Sequence, residues 1–146
     1  MKSRTKARSI ALQVLYEFDL TGHPVGEVFK DRIEETPLDD NTLVQFALQI
    51  VQGVLPLITQ LDELIAQHAP EWPMDQVAVI DRNILRIALW EFGVERCTPV
   101  KVAINEAIEL AKLFGSDSAP RFINGVLGAL AAQENQIQQT FRKSQV

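Results

Sequence analysis

Apolar residues recur along this chain with the period of a helix. Ala7, Ile10, Ala11, Val14, Leu15 and Phe18 fall at i, i+3, i+4, i+7, i+8 and i+11, the spacing that lines one side of an α-helix. The pattern predicts a first helix over 3–20, stopped by Gly22 and Pro24. Val28, Phe29 and Ile33 predict a short second helix over about 25–35. Asp39, Asp40 and Asn41 offer caps for a third, whose stripe is Leu43, Phe46, Ala47, Ile50, Val51 and Val54. Gly53 and Pro56 predict a kink or break. Leu57, Leu61, Leu64 and Ile65 then carry another helix to about 69. Pro70 and Pro73 enclose Glu71 and Trp72 in a loop that divides subdomains of about 1–70 and 71–134.

Beyond that loop Asp75 is expected to cap a long central helix carrying Val77, Ile80, Ile84, Ile87, Ala88 and Val94. Leu85, Leu89, Trp90 and Phe92 widen its apolar face. Thr98 and Pro99 read as a cap and first-turn proline. The helix they start runs to Phe114, buries Val100, Ala103, Ile104, Ala107 and Ala111, and ends at Gly115. A last helix, begun near 118–120, buries Phe122, Ile123, Val126, Leu127 and Leu130. The polar tail over 135–146 is expected to fray. Asn124-Gly125 is a hairpin dipeptide, but its flanks have helical period, and no alternating β-branched run occurs. The expected class is all-α. It is a helical bundle of about six or seven helices in two small subdomains, forming one domain over 1–146.

Composition narrows the chemistry. With 146 residues, 47% apolar and 23% charged, the chain can bury a core without staples and is not a disordered type. Its one cysteine, Cys97, excludes an internal disulfide and a multi-cysteine metal cage. His23 and His68 stand far apart and read as surface residues. The most apolar stretches, 125–132 and 84–90, fall short of the ~20 residues a membrane span needs. Gln13, Glu17 and Asp19 interrupt the region where a signal peptide would be apolar. The expected compartment is the cytosol. The seven glycines form no phosphate-cradling loop, and no nucleophile elbow occurs. Cys97 has no histidine near it in sequence and reads as an inert thiol before a helix. Glu106 and Glu109, three apart on one helix face, read as a structural cluster flanked by Arg86 or Lys112, not an acid–base pair. No catalysis, cofactor or metal is expected.

Charge changes the picture at one end. The net charge is −5, yet residues 1–16 hold Lys2, Arg4, Lys6 and Arg8 and no acid. Cations in a first helical turn oppose the helix dipole by ~0.3–1 kcal/mol each when exposed. Four of them are therefore read as gaining nothing in folding. An external polyanion would meet both these side chains and the free N–H groups of the helix start. The alternative at this level is a frayed, solubilising terminus. Tyr16, Leu12, Leu20, Trp72 and Trp90 lie beside or outside the apolar stripes. They read as core, with an exposed patch for a protein partner as the alternative.

Three stretches make the chain resemble a known family. They are VKVAINEAIELAKLFGSDSAPRFINGVL over 100–127, IDRNILRIALWE over 80–91, and ARSIALQVLYEFDL over 7–20. INEAIELAK and RFINGVL are its most specific parts. On these the chain resembles the NusB family of bacterial transcription antitermination factors over almost its whole length, most weakly across 23–39 and the tail. The resemblance implies an all-α fold of two small helical subdomains. It implies binding of boxA single-stranded RNA in nascent ribosomal RNA leader transcripts, in a heterodimer with the small-subunit ribosomal protein NusE. It places that heterodimer on RNA polymerase with other Nus factors, without catalysis, metal or membrane. Carried over by position, the basic motif falls on Lys2, Arg4, Lys6 and Arg8, with further RNA-facing positions at Asp117, Arg121 and Phe122. NusE-facing positions fall on Tyr16, Leu20 and Asp81. Asn105, Glu106 and Glu109 are expected to make hydrogen bonds between helices. The family motif is usually denser in arginine. Lysine lacks the bidentate fork, so RNA affinity without NusE is expected to be weak. Phe122 also fits a buried stripe. The resemblance leaves two alternatives: an RNA-holding module tied to ribosomal RNA modification, and a self-associating scaffold, since some members form homodimers that cover the RNA face.

Overall fold

The computed structural model describes residues 1–71 and 73–144. They form α1 (Ser3–Thr21), α2 (Val25–Glu35), α3 (Asn41–Val54), α4 (Ile58–His68), α5 (Val79–Leu89), α6 (Val100–Phe114), α7 (Ala119–Ala131) and α8 (Glu134–Ser144). No strand occurs among the described residues, as the periodicity requires. A 3-10 turn, Leu55–Leu57, joins α3 to α4 where Gly53 and Pro56 predict a kink. Asp40 caps α3 by accepting from the backbone N–H groups of Thr42 and Leu43; the Thr42 hydroxyl, which also donates to it, and then these N–H groups hold its carboxyl below the usual range. Gly22 ends α1 in the left-handed region, φ 72°.

One core joins both halves of the chain. α1 packs on α2, α3, α5 and α6, while α5 also meets α4, α6 and α7. Ile10, Leu12, Leu15, Ile50, Leu61, Ile65, Ile84, Leu85, Leu89, Phe92 and Leu110 are almost wholly enclosed. The division at Pro70–Pro73 thus marks a turn between sets of helices that share a core. Trp72 lies outside the described residues, while Leu12 and Trp90 belong to the core and Tyr16 and Leu20 are exposed. The run Asn41–His68 is long and apolar enough to cross a membrane by composition. Its apolar face instead packs inward through Phe46, Ile50, Val54, Leu61 and Ile65.

Three expectations are corrected. α5 begins at Val79, after a turn in which the Gln76 N–H donates to the Pro73 carbonyl, so Asp75 caps nothing. Thr98 does not cap α6. Its hydroxyl, buried, donates to Glu91 at 2.8 Å, and Pro99 takes the cap position. The tail does not fray over 134–144: it forms α8, an eighth helix, held by the buried Ile137 and Phe141. Two apolar residues four apart make a narrow stripe that a polar composition hides.

α5 runs on into a π-helical turn, Trp90–Glu95, closed by Arg96 at φ 58°. Such turns free a carbonyl from the regular ladder. Here the Phe92 carbonyl accepts from the Gln138 side chain of α8 at 2.9 Å. Earlier on α5 the Arg86 guanidinium, itself buried, ties α5 to α1 and α4 through Asp19 and Asp62, each at 2.7 Å. Glu91 is carried into the interior by the same turn.

Candidate functional site

The first turn of α1 carries Lys2 and Arg4 exposed and Lys6 half-buried. No acid lies in that turn and no side chain caps it. The positive end of the helix is therefore reinforced by cations. Ser3 donates to Asp39 at 3.3 Å, and the Arg4 guanidinium lies over the Phe46 ring at 4.5 Å, a cation–π contact that fixes the arginine stem against α3. Grooves open on both sides of this turn. One, of about 400 Å³, is lined by Lys2, Arg4, Pro99 and Val102. The other, of about 830 Å³, runs between Met1 and Lys2 and the α6 residues Ile108, Glu109 and Leu113.

Arg8 departs from the reading that four cations gain nothing in folding. It is 3% exposed. Its Nε and NH2 donate to both oxygens of Glu91 at 2.8–3.2 Å, and its NH1 lies 3.6 Å from Glu106. Its guanidinium also sits 5.1 Å from the Phe46 ring centre. Burial works against its charge. The hydrogen bonds and charge of Glu91 outweigh that, and the net effect raises its pKa above the ordinary arginine value. Glu106 also accepts from Thr5 at 2.8 Å, which bears out its expected role between helices. Glu109 instead pairs with Lys112 on the surface of α6, at 3.5 Å. A signal for Arg8 was present: it shares a row with Leu12 and Leu15, and Glu91 is the one acid within the apolar run 87–94. A charge on an apolar row needs a partner on another.

Of the remaining candidates, Asp81, Arg121, Phe122 and Tyr16 line grooves at the start of α5. Asp81, Arg121 and Phe122 line one groove of about 330 Å³ with Gln76, Val77, Ala78 and Ser118. Tyr16 lines its neighbour with Gln13, Arg32, Val79, Ile80 and Phe114, and Ala78 belongs to both. Positions assigned separately to RNA and to a protein partner thus share one face. Tyr16 is 38% exposed and Leu20, one turn on, 55%. Asp81 lines its groove while largely enclosed: it is 8% exposed, and its Oδ1 has no hydrogen-bond partner among the described residues. That burial raises its carboxyl pKa. The sequence misses this because Gly115, distant in the chain, lies so close that a Cβ there would meet the Asp81 Oδ1 at 3.2 Å. Phe122 is half-buried against the core while also lining the groove. Asp117 is exposed in the turn before α7. Cys97 is exposed beside the α1 start. Among the described residues no cluster of metal-ligating side chains occurs.

Comparison with known proteins agrees with this architecture. The NusB family model matches residues 5–132. The chain is 49% identical over 129 residues to the transcription antitermination protein NusB of Dehalococcoides mccartyi strain CBDB1, covering 88% of this chain and 90% of that one. It is 43% identical over 136 residues to the protein of that name from Bacillus subtilis strain 168, covering 93% and 99%. Its fold is similar to a crystal structure of antitermination factors NusB and NusE in complex with dsRNA, with a TM-score of 0.80 at 28% identity over 96% of this chain and 98% of that one.

Proposed function

The chain belongs to the NusB family, and on that premise we propose that it is a transcription antitermination factor. In this reading it binds the boxA element of nascent ribosomal RNA leader transcripts as a heterodimer with NusE. It acts in the cytoplasm on RNA polymerase with other Nus factors, as a binding protein and not an enzyme. The relatives' shared name and the structural likeness to a NusB–NusE–RNA complex support it. The observation that carries it is the cationic, acid-free and uncapped first turn of α1 in a chain of net charge −5. Charge placed there against the helix dipole is matched by phosphates.

Lys2, Arg4 and Lys6 take the RNA backbone. Asp117, Arg121 and Phe122 at the α7 start take a second segment, with the Phe122 ring offered to an unstacked base. Tyr16 and Leu20 present an apolar strip to NusE, and Asp81 meets it through the groove it lines. The shared face at the α5 start is where protein partner and RNA come together.

The test is binding of boxA single-stranded RNA, with scrambled and duplex controls, with and without NusE, across a salt series. Selective binding, strengthened by NusE and weakened by salt with a slope of about −0.7 per phosphate contact, is expected. Lys2→Glu with Arg4→Glu abolishes it while helicity is retained. No selective binding even with NusE refutes the reading.

A further inference from the structure

Arg8 belongs to the basic motif by sequence and lines the smaller groove beside the α1 start, yet it is 3% exposed and its guanidinium is engaged by internal carboxylates. Its fork closes on Glu91, its remaining nitrogen faces Glu106, and Phe46 lies against it. Glu91 in turn accepts from Thr98 and is 1% exposed. An arginine so held has its fork committed to one internal carboxylate and its third nitrogen turned toward another.

The consequence lies in what this pair holds in place. Arg8 sits one turn below Arg4, and both guanidinium groups contact Phe46. Thr5, between them, is tied to Glu106. Glu91 reaches Arg8 because it lies on the π-helical turn. That turn is pinned from outside by α8: Gln138 donates to the Phe92 carbonyl, and Ile137 packs so closely on Gly93 that a Cβ there would meet it at 3.0 Å. A chain of contacts therefore runs from α8 through the π turn to Glu91, Arg8 and the α1 start.

We propose that Arg8 and Glu91 are positioning residues for RNA binding: the Glu91–Arg8 clamp fixes the α1 N-terminus so that Lys2 and Arg4 meet consecutive phosphates, while Arg8 itself touches none. The proposal rests on the reading that the α1 start binds RNA. It divides the four-cation motif into an outer contact set and an inner anchor.

The test measures boxA RNA binding by the full-length heterodimer with NusE across a salt series, for variants whose helicity is first confirmed. Glu91→Gln keeps the shape and releases the guanidinium. Arg8→Met with Glu91→Met removes both charges together and leaves neither orphaned. Lys2→Ala with Arg4→Ala reports on the contact set. Under the proposal both clamp variants lose about tenfold in affinity with the wild-type salt slope, because the same phosphates are met less well. The outer pair makes the slope shallower by about 0.7 per lost contact. If Arg8 met a phosphate directly, Glu91→Gln would bind more tightly and the Met pair would lose slope. If the clamp were only an internal strut, folded variants would bind as wild type. Either result overturns the proposal. A wild-type slope in Lys2→Ala with Arg4→Ala overturns instead the reading on which it rests. Should the Met pair fail to fold, Glu91→Gln alone separates the three cases.

Discussion

Gly53→Ala places one methyl group where the structure leaves no room. A Cβ at Gly53 falls within contact distance of the Cε2, Cζ2 and Nε1 atoms of Trp90, closer than real Cβ atoms approach. Trp90 is 3% exposed and packed into the core, so accommodating the methyl group shifts the ring or the helix against its neighbours. Overpacking of this kind costs about 1–3 kcal/mol. Replacing a helix-interior glycine by alanine gains about 1 kcal/mol through propensity. With three ring atoms overlapped the steric cost falls near its upper end, leaving a net loss of about 1–2 kcal/mol. Gly125→Ala is the matched control. It lies mid-way along α7, exposed, with nothing within 4 Å of the added carbon, so it keeps the propensity gain alone. At about 2–4 °C per kcal/mol for a chain of this size, Gly53→Ala lowers Tm by about 2–8 °C and Gly125→Ala raises it by about 2–4 °C. Thermal unfolding by circular dichroism measures both. Tryptophan emission in a Trp72→Phe background reports the Trp90 environment. The packing argument is refuted if Gly53→Ala is as stable as Gly125→Ala with Trp90 emission unchanged.

Arg86→Met leaves Asp19 and Asp62 facing each other without their shared cation, and a loss of about 3 kcal/mol in denaturant unfolding is expected; a cost below about 1 kcal/mol would contradict the buried geometry. For Asp81 the folded-state pKa is raised by burial, so the favourable contribution is complete below the ordinary carboxylate pKa and fades as pH rises through the raised value. Asp81→Asn therefore raises Tm near pH 7, and the difference from wild type shrinks in acid; a pH-independent difference would contradict this. Phe141→Ala removes one of two aliphatic or aromatic anchors of α8, and the expected result is faster amide exchange confined to α8 and the π turn, at a cost of up to about 3 kcal/mol. Uniform exchange across the helices would show that α8 is not a separable unit.

Secondary structure was largely legible along the chain. The apolar spacing of α1, α3, α6 and α7, the Asp40 cap and the break at Gly53–Pro56 are local properties, set by helical period and by glycine and proline chemistry within a few residues. The cationic α1 start and the rough placing of candidate residues were readable for the same reason. Other features depended on residues far apart in sequence. Whether Arg8 faces water or Glu91, whether Asp81 is open or enclosed beside Gly115, and whether Ile137 and Phe141 find a core are pairings across tens of residues. Thr98, whose hydroxyl could cap α6 or reach Glu91 seven residues back, does the latter because the π turn carries Glu91 into the interior. A charged or weakly amphipathic residue has several low-energy settings in an isolated segment. Which one is realised follows from the partner that packing brings within about 3 Å, because an unpaired buried charge is costly and a paired one is tolerated.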